Sequence, residues 1–301
     1  MYFYLPVALT SINILIPTGL GLVIGLLVGL FGVGGGFLIT PLLMMFGIPA
    51  TVAAATGSNQ IVGASATGTY AHWKMGNVDF KMGFLLLAGG FLGGLGGVHV
   101  IKVLSAMGNA DFVIRVTYVV MLGLVGTYML VESLSKSGKK PAAGDRGRGG
   151  LGRFLDRLPL QIRFEKSGVT YSAIVPIAVG GVVGVLAAVM GVGGGFLMVP
   201  VMLYVFRMPM NVVVGTSLFQ ILFTCIEVTF LQAYTNHNVD FLLAVLLLAG
   251  STVGAQFGAA LGKRLNSEQL KIILACIVLA VTVKIVFELV LQPSILLAEG
   301  R

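Results

Sequence analysis

Two short sets of neutral polar residues stand out against an apolar background: Thr56, Ser58, Asn59 and Gln60 early in the chain, and Thr216, Ser217 and Gln220 later. Thr and Gln four positions apart share one face of a helix, so each set presents a hydroxyl and an amide side by side. Upstream of each set lies a glycine block, FGVGGGFLITP at 31–41 and MGVGGGFLMVP at 190–200. Three adjacent glycines (Gly34, Gly35 and Gly36; Gly193, Gly194 and Gly195) followed by Pro41 or Pro200 weaken a helix at one place. Inside a bilayer, unwound backbone has no water to bond and is tolerated only where it lines a protein cavity, and the free N–H groups of a helix start favour a negative ligand. Such neutral donors can hold an oxyanion and still release it, as a carrier must. The competing use of Thr, Ser and Gln is to glue helices together.

Charged residues within apolar stretches are few. Glu227, in ILFTCIEVTFLQAY, has no basic residue nearby in sequence; an acid in a span is costly and a functional candidate by default, here for proton coupling. Lys284 and Glu288, four apart, read as a pair on one helix face, and Arg115 as a side chain reaching for the interface. Asp79 and Asp240 sit in matching NVDF turns and read as caps of the helices that follow. His72, Trp73 and Lys74 have the character of interfacial anchors.

The elements that must carry these residues follow from composition. Of 301 residues, 57% are apolar and 10% charged, with a mean hydropathy of +1.00, against about 25% charged in soluble domains. The first 73 residues have no Asp, Glu, Lys or Arg, and a second uncharged run of 40 residues extends from Ser167 to Phe206. One crossing needs about 20. The chain therefore reads as a polytopic membrane protein, which excludes a cytosolic enzyme, a secreted module and a nucleic-acid binder despite the pI near 9.6. The basic residues Lys136, Lys139, Lys140, Arg146, Arg148, Arg153, Arg157, Arg163 and Lys166, set against Asp145, Asp156 and Glu165, give the segment between Leu134 and Thr170 a net +6 of the chain's +8. Such a loop belongs on the cytoplasmic side, near anionic lipid. Within it, Leu151, Phe154, Leu155 and Leu158 have the spacing of a short surface helix.

The chain also matches itself. The glycine blocks recur 159 positions apart, Thr56 and Gln60 return as Thr216 and Gln220, GNVDF at 76–80 answers HNVDF at 237–241, and LLLAGGFLGG at 85–94 answers LLLAGSTVGA at 246–255. Four blocks in one order point to duplication. Apolar runs near 12–46, 50–72, 82–102 and 113–133, and again near 171–206, 211–234, 241–262 and 270–291, have helical rather than β-barrel length. The expected fold is an all-α polytopic membrane protein of two homologous four-span repeats with glycine-broken helices: 1–133, a basic cytoplasmic linker 134–170, and 171–301. The N-terminal MYFYLPVAL reads as the start of the first membrane helix, and each glycine block as a discontinuous helix or a re-entrant turn. An even number of crossings per half makes the repeats parallel, an odd number inverted; the sequence leans to even. Absence of positive charge before Lys74 favours an external N-terminus. Gly89, Gly90, Gly93, Gly94, Gly96 and Gly97 read as helix-packing surface, and Cys225 and Cys276 as packing residues.

Soluble-enzyme patterns fail. GVGGGFL lacks the third glycine of a dinucleotide fingerprint and follows no strand; no phosphate-binding loop, zinc spacing or hydrolase motif is present. No enzyme activity, metal or cofactor is expected.

Duplicated GVGGGF-L-x-x-P blocks, each followed by a Thr-x-x-x-Gln helix and an N-V-D-F turn, resemble the sulfite exporter family (TauE/SafE, also called toluene sulfonate uptake permeases). The resemblance covers nearly the whole chain except the basic linker. It implies an inner-membrane secondary transporter of small anions such as sulfite, sulfoacetate or related sulfonates, coupled to protons. Here Leu218-Phe219 stand where the first half has Ser58-Asn59, so the half-sites differ chemically. The rival readings are a passive anion channel and a membrane scaffold without transport. Partners are the anion, protons and membrane lipid, with homo-oligomerisation left open.

Overall fold

The computed structural model describes residues 2–7, 10–31, 35–134, 159–164, 166–262 and 267–291. Strands β1 (Tyr2–Leu5) and β2 (Thr10–Asn13) lead into helices α1 (Leu15–Phe31), α2 (Ile39–Met45), α3 (Ala50–Lys74), α4 (Phe80–Ala106) and α5 (Ala110–Leu134). The same order then recurs as β3 (Gln161–Phe164), β4 (Val169–Ser172), α6 (Ile174–Met190), α7 (Gly195–Pro200), α8 (Met210–Leu231), α9 (Phe241–Gly262) and α10 (Ser267–Leu291). A 3-10 turn, Gly35–Leu38, precedes α2, while π-helical turns at Val201–Val205 and Gln232–Asn236 extend α7 and α8. The molecule is thus mainly helical, and its long helices fall within a few residues of the apolar runs.

The N-terminus is not the start of a membrane helix. Tyr2–Leu5 pairs antiparallel with Thr10–Asn13, and Gln161–Phe164 pairs with Val169–Ser172 in the same register 159 positions later. Tyr, Phe, Thr and Ile favour the pleated conformation, and Pro6 stands in the turn between the first two strands. The second hairpin occupies the last part of the segment expected to be linker. The amphipathic stretch Leu151–Leu158 lies outside the described residues.

Helix direction follows from close backbone approaches at glycines. A Cβ on Gly21 or Gly25 of α1 would strike the backbone of Leu247 or Ser251 of α9, and one on Gly250, Gly254 or Gly258 would strike Thr18, Leu22 or Leu26. The numbers rise together, so α1 and α9 run parallel. The seam between α6 and α4 repeats this: Gly180 meets Leu86, Gly184 meets Gly90, and Gly89, Gly93 and Gly97 meet Ile177, Gly181 and Val185. Small residues spaced by four bring backbones this close. In contrast, α3 and α8 run antiparallel, because Gly68 late in α3 faces Leu218 early in α8, whereas Thr56 early in α3 bonds to Asp240 beyond the end of α8. Helices α5 and α10 are antiparallel too, with Arg115 beside Glu288 and Gly126 beside Val278.

These directions place the starts of α1, α3 and α9 at one end of the bundle. Only residues 46–49 separate α2 from α3, so α1 departs from that end and α2 returns to it. Helices α6 and α7 double back from the opposite end in the same way. Among the described residues each half has three long helices and, before them, a glycine-interrupted pair that doubles back, one of the two forms expected of the glycine blocks. At 17 residues, α1 and α6 are about 25 Å long, short of a hydrocarbon core of about 30 Å. By length and hydropathy, four helical stretches are able to cross a membrane among the described residues: Phe80–Ala106, Ala110–Tyr128, Met210–Asn236 and Phe241–Gly258.

The largest core cluster joins both halves, taking Phe37, Leu38 and Leu43 from one and Phe196, Ile221 and Leu247 from the other. Outward faces carry Phe84, Phe91, Leu92, Phe230, Phe257 and Phe287 exposed, a surface suited to lipid rather than water. Cys225 is buried, but Cys276 is exposed on α10 and is not a core packing residue.

Candidate functional site

The second glycine block forms a tight, well-packed break. Helix α6 closes at Met190, and Gly191 donates its N–H back to Ala187 at 2.8 Å. Gly193 and Gly194 then take φ of +68° and +76°, successive left-handed residues that L side chains rarely tolerate. The Gly194 carbonyl accepts the first N–H groups of α7, from Leu197 at 3.1 Å and Met198 at 2.8 Å. Space matters as much as φ: a Cβ on Gly193 would press on Cys225, and one on Gly195 on Ile221, both of α8. The next residue, Phe196, stacks on Phe37, its counterpart from the first block, with ring centroids 4.5 Å apart. The two doubled-back segments thus meet through their own phenylalanines. Gly35 and Gly36 lie in the 3-10 turn; Gly34 is outside the described residues.

The first half secures this break. Thr40 donates its hydroxyl to the Met190 carbonyl at 3.2 Å, and the buried Tyr118 hydroxyl donates to the same oxygen. The terminal carbonyl of α6 is therefore satisfied without water. The cavity beside the break, walled by Ala187, Met190, Val192, Gly194 and Phe196, is about 10 Å³, room for one water at most.

The predicted polar residues separate into two groups. The Asp240 N–H donates to the Thr56 hydroxyl oxygen at 3.2 Å, and the Asp79 N–H to that of Thr216 at 3.0 Å, so both threonines brace the NVDF turn of the opposite half. Those turns are caps, as their sequence implies: Asp79 accepts from the N–H of Met82 at 3.2 Å and Asp240 from that of Leu243 at 3.1 Å. Each aspartate's second oxygen takes a hairpin tip, from the Val7 N–H at 3.3 Å to Asp240 and from the Ser167 hydroxyl to Asp79. Ser58 donates to Ala54 at 3.2 Å and Ser217 to Val214 at 3.0 Å, within their own helices. Asn59 is half-buried.

The glutamines behave otherwise. Gln60 and Gln220 are buried, and the side-chain oxygen of each has no hydrogen-bond partner. Gln220 donates to the Thr224 hydroxyl at 2.9 Å. One turn on, Glu227 is 9% exposed and neither carboxyl oxygen has a partner. Gln220, Thr224 and Glu227 occupy one face of α8, and that face lies in a trough on α4. A Cβ at Gly90 would fall 3.1 Å from the Thr224 hydroxyl and 3.2 Å from the Gln220 amide nitrogen; one at Gly94 would fall 2.9 Å from Glu227 Oε2. The glycines of α4 thus do two jobs: Gly89, Gly93 and Gly97 seat α6, while Gly90 and Gly94 clear room for polar side chains. Among the described residues no hydrogen bond joins Gln60 to Gln220, and no cluster of His, Cys, Asp and Glu fit for a metal occurs. Thr224 was missed in the sequence although it stands four residues after Gln220, the same spacing that singled out Thr216 and Gln220.

Comparison with known proteins finds related membrane transporter proteins. The family described as "Sulfite exporter TauE/SafE" matches residues 18–285. The chain is 28% identical over 279 residues to "Probable membrane transporter protein YunE" of Bacillus subtilis, covering 89% of this chain and 96% of that protein. It is 24% identical over 296 residues to a "Probable membrane transporter protein" of Xylella fastidiosa, covering 93% and 97%. A shorter stretch of 103 residues is 33% identical to "Sulfite exporter TauE/SafE family protein 1" of Arabidopsis thaliana, covering 34% of this chain and 23% of that one. No solved structure matches.

Proposed function

The chain belongs to the sulfite exporter TauE/SafE family of membrane transporters, and on that premise we propose that it is a proton-coupled secondary carrier exporting sulfite or organosulfonate-type anions across the inner membrane. The observation that carries this reading is the polar face of α8. Gln220 and Glu227 keep side-chain oxygens buried and unpartnered, a costly arrangement in a medium without water. The side-chain-free positions Gly90 and Gly94 of α4 face them. An amide turned end for end presents its NH₂, and the Thr224 hydroxyl then donates to the amide oxygen. In that arrangement Gln220 offers donors to an oxyanion while Glu227, about two turns further along α8, takes up or releases the proton that accompanies it. Gln60 offers an equivalent amide from the first half, and the glycine breaks supply unwound backbone close by.

Two repeats of opposite sense give such a carrier its symmetry. The seams fix α1 to α9 and α6 to α4, so each doubled-back segment is fastened to the other half, and the units that move in alternating access are these pairs. Charge supports the orientation. Lys74, Lys81, Arg163, Lys166 and Arg207 stand at the end where α3 finishes and α6 begins, and the sequence between Leu134 and Pro159 adds seven basic residues. That end is cytoplasmic by the positive-inside rule, leaving the β1–β2 hairpin outside.

Reconstitution in liposomes tests the proposal. Sulfite and sulfoacetate flux is followed with and without an imposed pH gradient, and counterflow by unlabelled anion distinguishes a carrier from a channel. Accumulation driven by the gradient is expected; absence of flux for both anions removes the substrate assignment.

A further inference from the structure

A second charged group, away from the polar face of α8, lies at the end of the bundle that holds the β1–β2 hairpin. There Met44 and Met45 at the close of α2, Arg115 on α5, and Lys284, Phe287 and Glu288 on α10 wall an open pocket of about 420 Å³, within the range of about 300–1,000 Å³ usual for small-ligand sites. Arg115 Nη1 stands 3.5 Å from one Glu288 oxygen and Lys284 Nζ 3.6 Å from the other. Charge-assisted bonds close to about 2.7–2.9 Å, so neither cation is tightly engaged. Two positive charges share a single carboxylate, and Arg115 Nε is buried without an acceptor. One turn before Arg115, the Asp111 carboxylate accepts the N–H of Thr51 at 3.3 Å. The pocket is left with a surplus positive charge, an unused guanidinium edge, and methionine and phenylalanine walls.

We propose that this pocket binds a phosphate- or sulfonate-type oxyanion group through Arg115 and Lys284, with Glu288 as the internal counter-ion that the ligand displaces. The planar guanidinium suits two oxygens of such a group, the ammonium supplies a point charge, and the apolar walls take whatever chain the group carries. The same chemistry is available from a dissolved anion and from an anionic lipid headgroup, since the pocket lies within about the first two turns of α5 and the last two turns of α10, at interfacial depth.

The test uses the full chain in nanodiscs. In discs of phosphatidylcholine alone, binding of inorganic phosphate and of butanesulfonate is titrated; in discs with added phosphatidylglycerol, retained lipid is counted by native mass spectrometry. Binding in the first arm identifies a dissolved anion, and selective retention of phosphatidylglycerol without binding in the first arm identifies a headgroup. In either case Arg115→Gln and Lys284→Gln are expected to weaken binding about tenfold, and Glu288→Gln to tighten it, because the carboxylate no longer competes. A merely structural ion pair predicts no tightening. The proposal is overturned if neither ligand binds, or if Glu288→Gln, with a melting temperature close to that of the parent, leaves affinity unchanged or lowers it.

Discussion

On α3 the face that begins with Thr56 continues through Gln60, Ala64 and Thr67; on α8 the face that begins with Thr216 continues through Gln220, Thr224 and Glu227. The helices have the same place in the element order, pack antiparallel against each other and make the same threonine brace to an NVDF turn of the opposite half. Along this face they diverge at Ala64 against Thr224 and at Thr67 against Glu227. Thr67 donates its hydroxyl to the Gly63 carbonyl at 3.3 Å, a local bond that helices in lipid commonly make, whereas its counterpart is a buried acid. The trough differs in parallel: Gly90 and Gly94 on α4 correspond to Ser251 and Ala255 on α9. Framework is held alike in both halves, and the ionisable group, with the glycines that make room for it, is kept in one.

The largest effect should come from breaking what the halves share. Gly184→Leu places a side chain into the Gly90 backbone, and Gly25→Leu does the same at the matching seam; both should cost several kcal/mol, more than about 3, and abolish a monodisperse peak in size-exclusion chromatography. Survival of either variant with a parent-like melting temperature contradicts the seam. The next effect separates framework from site. Gln220→Leu and Gln60→Leu remove buried amides whose oxygens lack partners, so the fold should persist while anion flux falls, about tenfold or more if each amide makes a hydrogen bond to charged substrate. Unchanged flux in both would detach the glutamines from transport.

Smaller differences sharpen the comparison. Asp79→Ala and Asp240→Ala each remove a cap and a hairpin anchor, and should lower stability by about 1–2 kcal/mol in near-equal amounts, read from thermal unfolding; a large inequality would show that the two turns are not held alike. Gly96→Ala is the control within the α4 glycine run. A Cβ there meets nothing within 4 Å, so the change should be neutral or stabilising by up to about 1 kcal/mol.

Local features were legible in the sequence, and features set by long-range contact were not. The NVDF turns announced their caps because a capping aspartate needs only the helix that follows it. The long helices were visible as apolar runs, and the glycine blocks as breaks. Whether the break bends or reverses the chain stayed open between a discontinuous helix and a re-entrant turn, since both require the same glycines; the parallel seam of α1 with α9, more than 200 positions away, fixes the direction. Thr56 and Thr216 illustrate the same limit at the site. Their partners lie 184 and 137 positions off, so spacing alone grouped them with the glutamines although their hydroxyl oxygens accept backbone N–H groups of the other half. The first hairpin escaped notice because eight of the first nine residues are apolar and uncharged like the helix after them, and the second because it lies in the basic segment that reads as a linker.

Proton coupling, on this reading, resides at Glu227, where the second half carries a buried acid and the first half carries Thr67. It is tested most directly by comparing the parent protein with Glu227→Gln in proteoliposomes, measuring sulfite uptake against an imposed pH gradient and, in parallel, sulfite counterflow at equal pH. The account predicts that the variant retains counterflow and loses gradient-driven accumulation. Accumulation that follows the gradient equally well in both proteins would contradict it.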